Sequence, residues 1–212
     1  YTIIGDVDSA TRTLATAVIT CDKTWMTNWS QAEVAAQEAM SVWTSENLSE
    51  PTVARTVTSA MTVGSHLVVS SSMPIRDIEW FGSVTSGVTV HSNRGANGID
   101  GVVSTAVGVA LGSGSPTSLL IGDVALLHDV NGLLALNRRA VELSIVVTNN
   151  DGGSIFSFLP QAEHLDQATF ELLYGTPHGV SFEHVAKTYG LTYFRATNEE
   201  ALRAALAQPG TK

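Results

Sequence analysis

The 212-residue chain is 44% hydrophobic and only 15% charged, a balance that suits one well-packed α/β domain with a short appendage and excludes wholesale disorder. Its net charge of −9 and its 11 scattered Lys and Arg residues exclude the basic face that a nucleic-acid partner requires. The lone Cys21 excludes an internal disulfide and a cysteine-based zinc site, and points to a reducing compartment.

The chain begins at Tyr1 and enters at once a short apolar run at residues 2–4, which reads as the tail of a preceding domain in an excised fragment. Residues 9–17 read as a helix, and Trp25 and Trp29 fall in a turn-prone segment. The expected division is a tail at 1–28, a connecting helix at 29–50 and one domain at 51–212. In the connecting helix, Ser30 is the candidate N-cap and Glu33 completes a capping box. Beyond Pro51, β-rich runs alternate with helical ones. Strands are expected at 66–70, 87–91, 117–121, 143–148 and 192–194, and helices at 75–81, 101–111, 131–138, 182–189 and 199–207, the last capped by Asn198. Apolar strands alternating with helices predict an α/β fold, a parallel sheet with helices on both faces. In such sheets ligands bind beyond the carboxyl ends of the strands. No apolar run reaches the roughly 18 to 20 residues of a membrane span, no secretory signal opens the chain, and the expected setting is cytoplasmic.

Two strand ends carry the chemistry. The strand TSLLI ends on Gly122-Asp123, and LSIVVT runs into Asn149-Asn150-Asp151-Gly152-Gly153. A carboxylate, a carboxamide oxygen and a backbone carbonyl are hard ligands of the kind Mg²⁺ takes, with water and phosphate oxygens completing its octahedron. Gly152 lets its backbone approach a ligand closely. Each half alone is an ordinary turn signal; paired at consecutive strand ends, they read as a Mg²⁺–diphosphate site. A third strand end, HSNRGANGIDG, sets Gly95, Gly98 and Gly101 before a small-residue helix, a geometry that offers backbone N–H groups to phosphate. The six histidines lack His-x-x-x-His spacing, so zinc is not expected. His128 and Asp129 either touch the cofactor's surroundings or pack.

The pair of turns resembles the thiamine diphosphate motif, Gly-Asp-Gly followed by Asn-Asn, with Val124 in place of the motif's second glycine. With SSMPIR and SNRGANGIDG before it and SIFSFLP after it, the stretch 70–193 resembles the 2-succinyl-5-enolpyruvyl-6-hydroxy-3-cyclohexene-1-carboxylate synthases of menaquinone (vitamin K2) biosynthesis. The resemblance implies a thiamine diphosphate-binding fold and a transferase. With thiamine diphosphate and Mg²⁺ or Mn²⁺, 2-oxoglutarate is decarboxylated and the succinyl carbanion equivalent is added to isochorismate, releasing CO₂. It implies that Asp123, Asn150 and the carbonyl of Gly152 hold the metal, and that Ala96, Asn97, Gly98, Gly122, Val124, Ala125 and Gly153 surround the diphosphate. Ile99 would lie beneath the thiazolium and bend the cofactor. Ser72, Arg76 and Arg94 would meet substrate, with Ile155, Phe156 and Leu159 as an apolar wall. Arginine suits these polycarboxylates because its fork gives charge-assisted, often bidentate hydrogen bonds.

The resemblance further implies a homodimer or homotetramer. In it, the N-terminal pyrimidine domain of a second subunit, matched nowhere in these residues, brings a glutamate to the aminopyrimidine. The chain alone is therefore expected to be inactive. Two alternatives stay open. Another thiamine diphosphate-dependent 2-oxo acid decarboxylase would keep Asp123 and Asn150 without needing Arg76 and Arg94. A non-catalytic nucleotide-binding module of Rossmann type would bind without Mg²⁺, but its glycine fingerprint is not met in order.

Overall fold

The computed structural model describes residues 5–17, 22–46, 48–83, 86–136 and 139–208. The apolar run at 2–4, Cys21 and Arg138 lie outside them. The chain divides into two compact units, Tyr1–Val42 and Trp43–Lys212. In the first, helix α1 (Val7–Ala17) and helix α2 (Lys23–Glu46), which continues past the boundary, are almost wholly exposed. The sequence placed the start of α2 at Ser30, but Asp22 begins it. The Asp22 carboxylate accepts the N–H (2.9 Å) and hydroxyl (2.5 Å) of Thr24, as an N-cap does. Trp25 and Trp29 therefore lie on a helix, their rings 5.9 Å apart, rather than in a turn.

The second unit is built on strands β1 (His66–Val69), β2 (Thr89–Ser92), β3 (Thr117–Gly122) and β4 (Leu143–Thr148), all parallel, in the order β2-β1-β3-β4. Side chains alternate across a strand, so the two faces fill separately. Val68, Leu119 and Ile121 join Val103, Ala106 and Val107 of helix α5 (Val102–Ser113) in one core. Leu67, Val69 and Leu120 join Ala54 and Val57 of helix α3 (Glu50–Ala60) in the other, with Ile75 and Ile78 of helix α4 (Met73–Phe81) against them. Each fully buried aliphatic side chain contributes roughly 1.5–3 kcal/mol, and two-sided burial is what the continuous apolar runs of these strands require. No helix among the described residues is long and apolar enough to cross a membrane.

The strand order reverses between β1 and β3: the chain goes from β1 outward to β2, then returns to β3 and β4 on the other side. The crevice beyond the carboxyl ends of β1 and β3 is where open parallel sheets bind ligands. Gly122-Asp123 stands there. The short helix α6 (Asp123–His128) follows β3 at once, and the helix expected at 131–138 forms instead as a 3₁₀ turn, Val130–Leu136. Asp129, between them, has a packing role: its carboxylate accepts the N–H (2.7 Å) and hydroxyl (3.0 Å) of Ser104 and so caps α5 from a neighbouring element. His128 is exposed.

After β4 come a 3₁₀ turn (Ser154–Phe158), the one-turn helices α7 (Gln161–His164) and α8 (Gln167–Phe170), and a π turn, Glu171–Gly175. Helices α9 (Phe182–Thr188) and α10 (Glu199–Leu206) end the described chain, α10 capped by Asn198 as expected. The strand expected at 192–194 does not form. Tyr193 and Phe194 line, together with β4, a cavity of about 910 Å³, and across that space no ladder joins them to β4.

Asp77, on the buried side of α4, is 2% exposed and lies beside Glu50 in the first turn of α3. Burial pushes it up to about 7, and the charge of Glu50 and a hydrogen bond between the two side chains add to the shift. The folded state thus keeps a proton that the unfolded chain releases near 3.8, so this group's contribution to stability is lost as pH rises from about 4 to about 7. Asp77→Asn keeps the size and a donor toward Glu50 but removes the proton linkage. It is expected to raise the melting temperature at pH 8 and leave it nearly unchanged at pH 4, a contrast that thermal melts at the two pH values measure.

Candidate cofactor and metal site

At the end of β3, Gly122 has extended backbone (φ −75°, ψ 158°) and delivers Asp123 to the first position of α6, where its side chain is buried. A carboxylate so placed must be met by donors. Oδ1 accepts the N–H of Val124 (2.7 Å), and Oδ2 accepts those of Asn150 (3.2 Å) and Gly152 (3.0 Å). Nε2 of His178 lies 3.2 Å from the same Oδ2. Because Nδ1 of His178 accepts the N–H of Val180 (2.9 Å), the ring proton sits on Nε2 and is donated to Asp123. Oδ2 is thereby saturated, while Oδ1 keeps a lone pair for a cation.

Asn150 Nδ2 donates to Glu50 Oε1 and to Ser154 Oγ, each at 2.6 Å, which leaves the amide oxygen as the free end. The Gly152 carbonyl accepts no hydrogen bond from the described residues. Glycine at 152 is also required by the chain itself. With φ at +141°, a Cβ there would collide with the Gly175 carbonyl oxygen, and Gly153 donates its N–H to that same oxygen (2.7 Å). The chain's own backbone fills the space.

The remaining predicted residues lie along the same rim of strand ends. Ser72, with φ +74°, stands at the N-cap position of α4, and its carbonyl accepts from Arg76 Nη1 at 2.5 Å. Arg94, just beyond β2, is exposed and pairs with none of the described residues. Ala96 and Gly98 are exposed in the glycine-rich turn, where Gly98 donates its N–H to Asp100 (2.9 Å), the bond chiefly responsible for holding the Asp100 carboxyl below its ordinary range. Ile99 packs on the core beneath α5, and Ala125 is wholly within that core. On the 3₁₀ turn after β4, Ile155 is half-buried while Phe156 and Leu159 are exposed, Phe156 edge-on to Tyr174. The structure thus brings Asp123, Asn150 and Gly152 together, and Ser72 with Arg76. It shows no contact between these two groups.

Three buried side-chain oxygens lack partners among the described residues: Ser70 Oγ at the end of β1, Ser92 Oγ at the end of β2, and Asn97 Oδ1 in the turn that follows. Unmet buried polar atoms are costly, and all three stand at the rim where Asp123 stands. No three His, Cys, Asp or Glu side chains among the described residues could hold a metal together. A cation here must use one carboxylate, the amide and carbonyl oxygens, and oxygens of its ligand, a donor set that fits a diphosphate carried on a hard divalent ion. Sequence reasoning missed Glu50, His178 and Asp151. Asp151 accepts the N–H groups of His178 (3.1 Å) and Gly179 (2.7 Å), fixing the turn that aims His178.

A parallel sheet with its polar groups gathered at the strand ends fits a cofactor-binding α/β enzyme domain, and residues 81–210 match the thiamine pyrophosphate enzyme family at its C-terminal TPP binding domain. The chain belongs to that family. More particularly, it is similar to curated 2-succinyl-5-enolpyruvyl-6-hydroxy-3-cyclohexene-1-carboxylate synthases, as its motifs suggested. That of Myxococcus xanthus is 44% identical over 209 residues, covering 97% of this chain and 35% of the relative. The Chloroflexus aurantiacus protein is 45% identical (86% and 31% covered) and the Rubrobacter xylanophilus protein 47% identical (80% and 29%). The chain spans about a third of the length of the curated relatives it matches. The crystal structure of benzoylformate decarboxylase from Polynucleobacter necessarius aligns with a TM-score of 0.63 over 75% of this chain and 30% of that one, at 17% identity, a likeness of fold alone.

Gly152→Ala is expected to destabilise the protein by at least about 2 kcal/mol, through both the strained φ and the clash with Gly175. Chemical denaturation without any ligand measures it, and an unaltered midpoint would show that the loop from 149 to 153 gives way freely.

Proposed function

We propose that this chain holds the metal and the diphosphate of thiamine diphosphate in a synthase of menaquinone biosynthesis. The observation that carries the reading is the Asp123 carboxylate, buried at the switch point of the sheet and surrounded by the backbone of the Asn150–Gly152 loop. Asp123 Oδ1, Asn150 Oδ1 and the Gly152 carbonyl would hold Mg²⁺ or Mn²⁺. Residues 96–98 and the N–H groups after Asp123 would face the diphosphate, and Ile99 would support the ring. When bound, thiamine diphosphate supplies the electron sink for decarboxylation of a 2-oxo acid.

The substrates in this reading are 2-oxoglutarate, which loses CO₂, and isochorismate, to which the remaining four-carbon unit is joined. Their carboxylates suit Arg76 and Arg94: Arg94 has no partner among the described residues, and Arg76 bonds only a carbonyl, so both can turn to an anion. Phe156 and Leu159, exposed beside the loop, would cover the apolar parts of the bound substrates. The glutamate that meets the cofactor's aminopyrimidine would come from the pyrimidine domain of a second subunit in a dimer or tetramer.

Calorimetric titration with thiamine diphosphate is expected to give binding with Mg²⁺, none after chelation, and none for Asp123→Ala. Equal binding by Asp123→Ala would remove the metal reading. In a protein spanning the relatives' full length, Arg76→Ala and Arg94→Ala are expected to keep cofactor binding and to lower isochorismate turnover at least tenfold, about 1.4 kcal/mol in the transition state. Unchanged turnover would point instead to a related enzyme acting on another 2-oxo acid.

A further inference from the structure

The two ends of an asparagine carboxamide are nearly the same size, yet only the oxygen can ligate a hard cation. Something must stop Asn150 from turning its NH₂ group toward the metal. Its two neighbours differ in this respect. Ser154 Oγ, at 2.6 Å, is a hydroxyl that can accept from the NH₂ or donate to the oxygen, so it does not discriminate. Glu50 Oε1, also at 2.6 Å, accepts only, and an amide oxygen turned toward it would meet a lone pair.

Resting on the metal reading given above, we propose that Glu50 is a positioning residue: it holds the Asn150 carboxamide so that the oxygen, and not the nitrogen, faces the cation. Glu50 is well placed to hold still. It is the first residue of α3, directly after the Ser49 cap and before Pro51, and a carboxylate is favoured at a helix N-terminus. Helix α3 is packed against α4 and α10. Asp77, the more deeply buried partner, hydrogen-bonds Glu50 as well. Groups that orient a metal's ligands in this way commonly change metal affinity by about 10- to 100-fold when removed.

The test is the Mg²⁺ concentration needed for half-maximal thiamine diphosphate binding by the chain, read by calorimetry. Glu50→Leu is expected to raise it about tenfold or more. Glu50→Gln, whose carboxamide oxygen still accepts from Asn150 and whose NH₂ can donate to Asp77, is expected to stay within about twofold. In an Asn150→Asp background the sign reverses. Aspartate offers oxygen at both ends but sets a like charge against Glu50, so adding Glu50→Gln then lowers the Mg²⁺ requirement. A merely structural Glu50 would act in the same direction in both backgrounds. Absence of Mg²⁺-dependent binding in the unsubstituted chain would remove the metal reading and this proposal with it. Normal binding in that chain with Glu50→Leu unaffected, with Glu50→Gln as impaired as Glu50→Leu, or without the reversal, would overturn this proposal alone. If circular dichroism shows Glu50→Leu unfolded, the Glu50→Gln comparison in the two backgrounds decides.

Discussion

A carboxylate can remain buried at the end of β3 only because donors from elsewhere reach it, and most of them come from the loop that leaves the neighbouring strand. The in-register pairing of β3 with β4, which sets Gly122 beside Thr148, brings the N–H groups of Asn150 and Gly152 to Asp123. His178 adds a third donor to the same oxygen. The sheet therefore has to form before the site exists. The parallel ladder fixes the spacing of two loops, and the charge at one loop gathers the backbone of the other. Removing the carboxylate would leave the N–H groups of Asn150 and Gly152 without their acceptor, so the side chain proposed as a ligand also ties the two loops together.

The same economy bears on how, in the proposed reading, a strongly acidic chain would hold an anion. Its net charge of −9 repels phosphate at long range, and its cations are too scattered to reverse that. In that reading, local dipoles and a metal would do what bulk charge does not. The strand ends supply the dipoles, since α4, α5 and α6 all begin at the rim where Ser70, Ser92 and Asp123 stand. Behind the rim, the proton held by Asp77 keeps a second negative charge from accumulating beside Glu50.

Much of this was legible in the sequence, for identifiable reasons. Runs such as TSLLI and LSIVVT are apolar at every position because both faces of the sheet are covered, and the structure places β3 and β4 within a residue of the expected bounds. Helix α3 escaped notice because several of the residues it buries, Thr52, Thr56 and Thr58, are threonines, whose hydroxyls bond within or near the helix. The expected strand at 192–194 has the right local pattern, but pairing is a property of what lies opposite, and a cavity lies there. Asp123, Asn150 and Gly152 could be found because each sits in a short local motif. His178 and Glu50 could not, being 55 positions from Asp123 and 100 from Asn150, joined to them only by the fold.

The close approach of Gly175 to Gly152 bears on how such sequences diverge. Glycine at 152 is demanded by the chain's own backbone, so a descendant that had lost all affinity for a cofactor would still be selected to keep it. Asn150 is under no such compulsion: its side chain is exposed, and its interactions with Glu50 and Ser154 serve orientation more than packing. In comparing homologues, a retained glycine is thus a marker of folding, while under the proposed reading the asparagine together with its glutamate would mark a working metal site. A lineage drifting away from catalysis should lose that pair first and the glycine last.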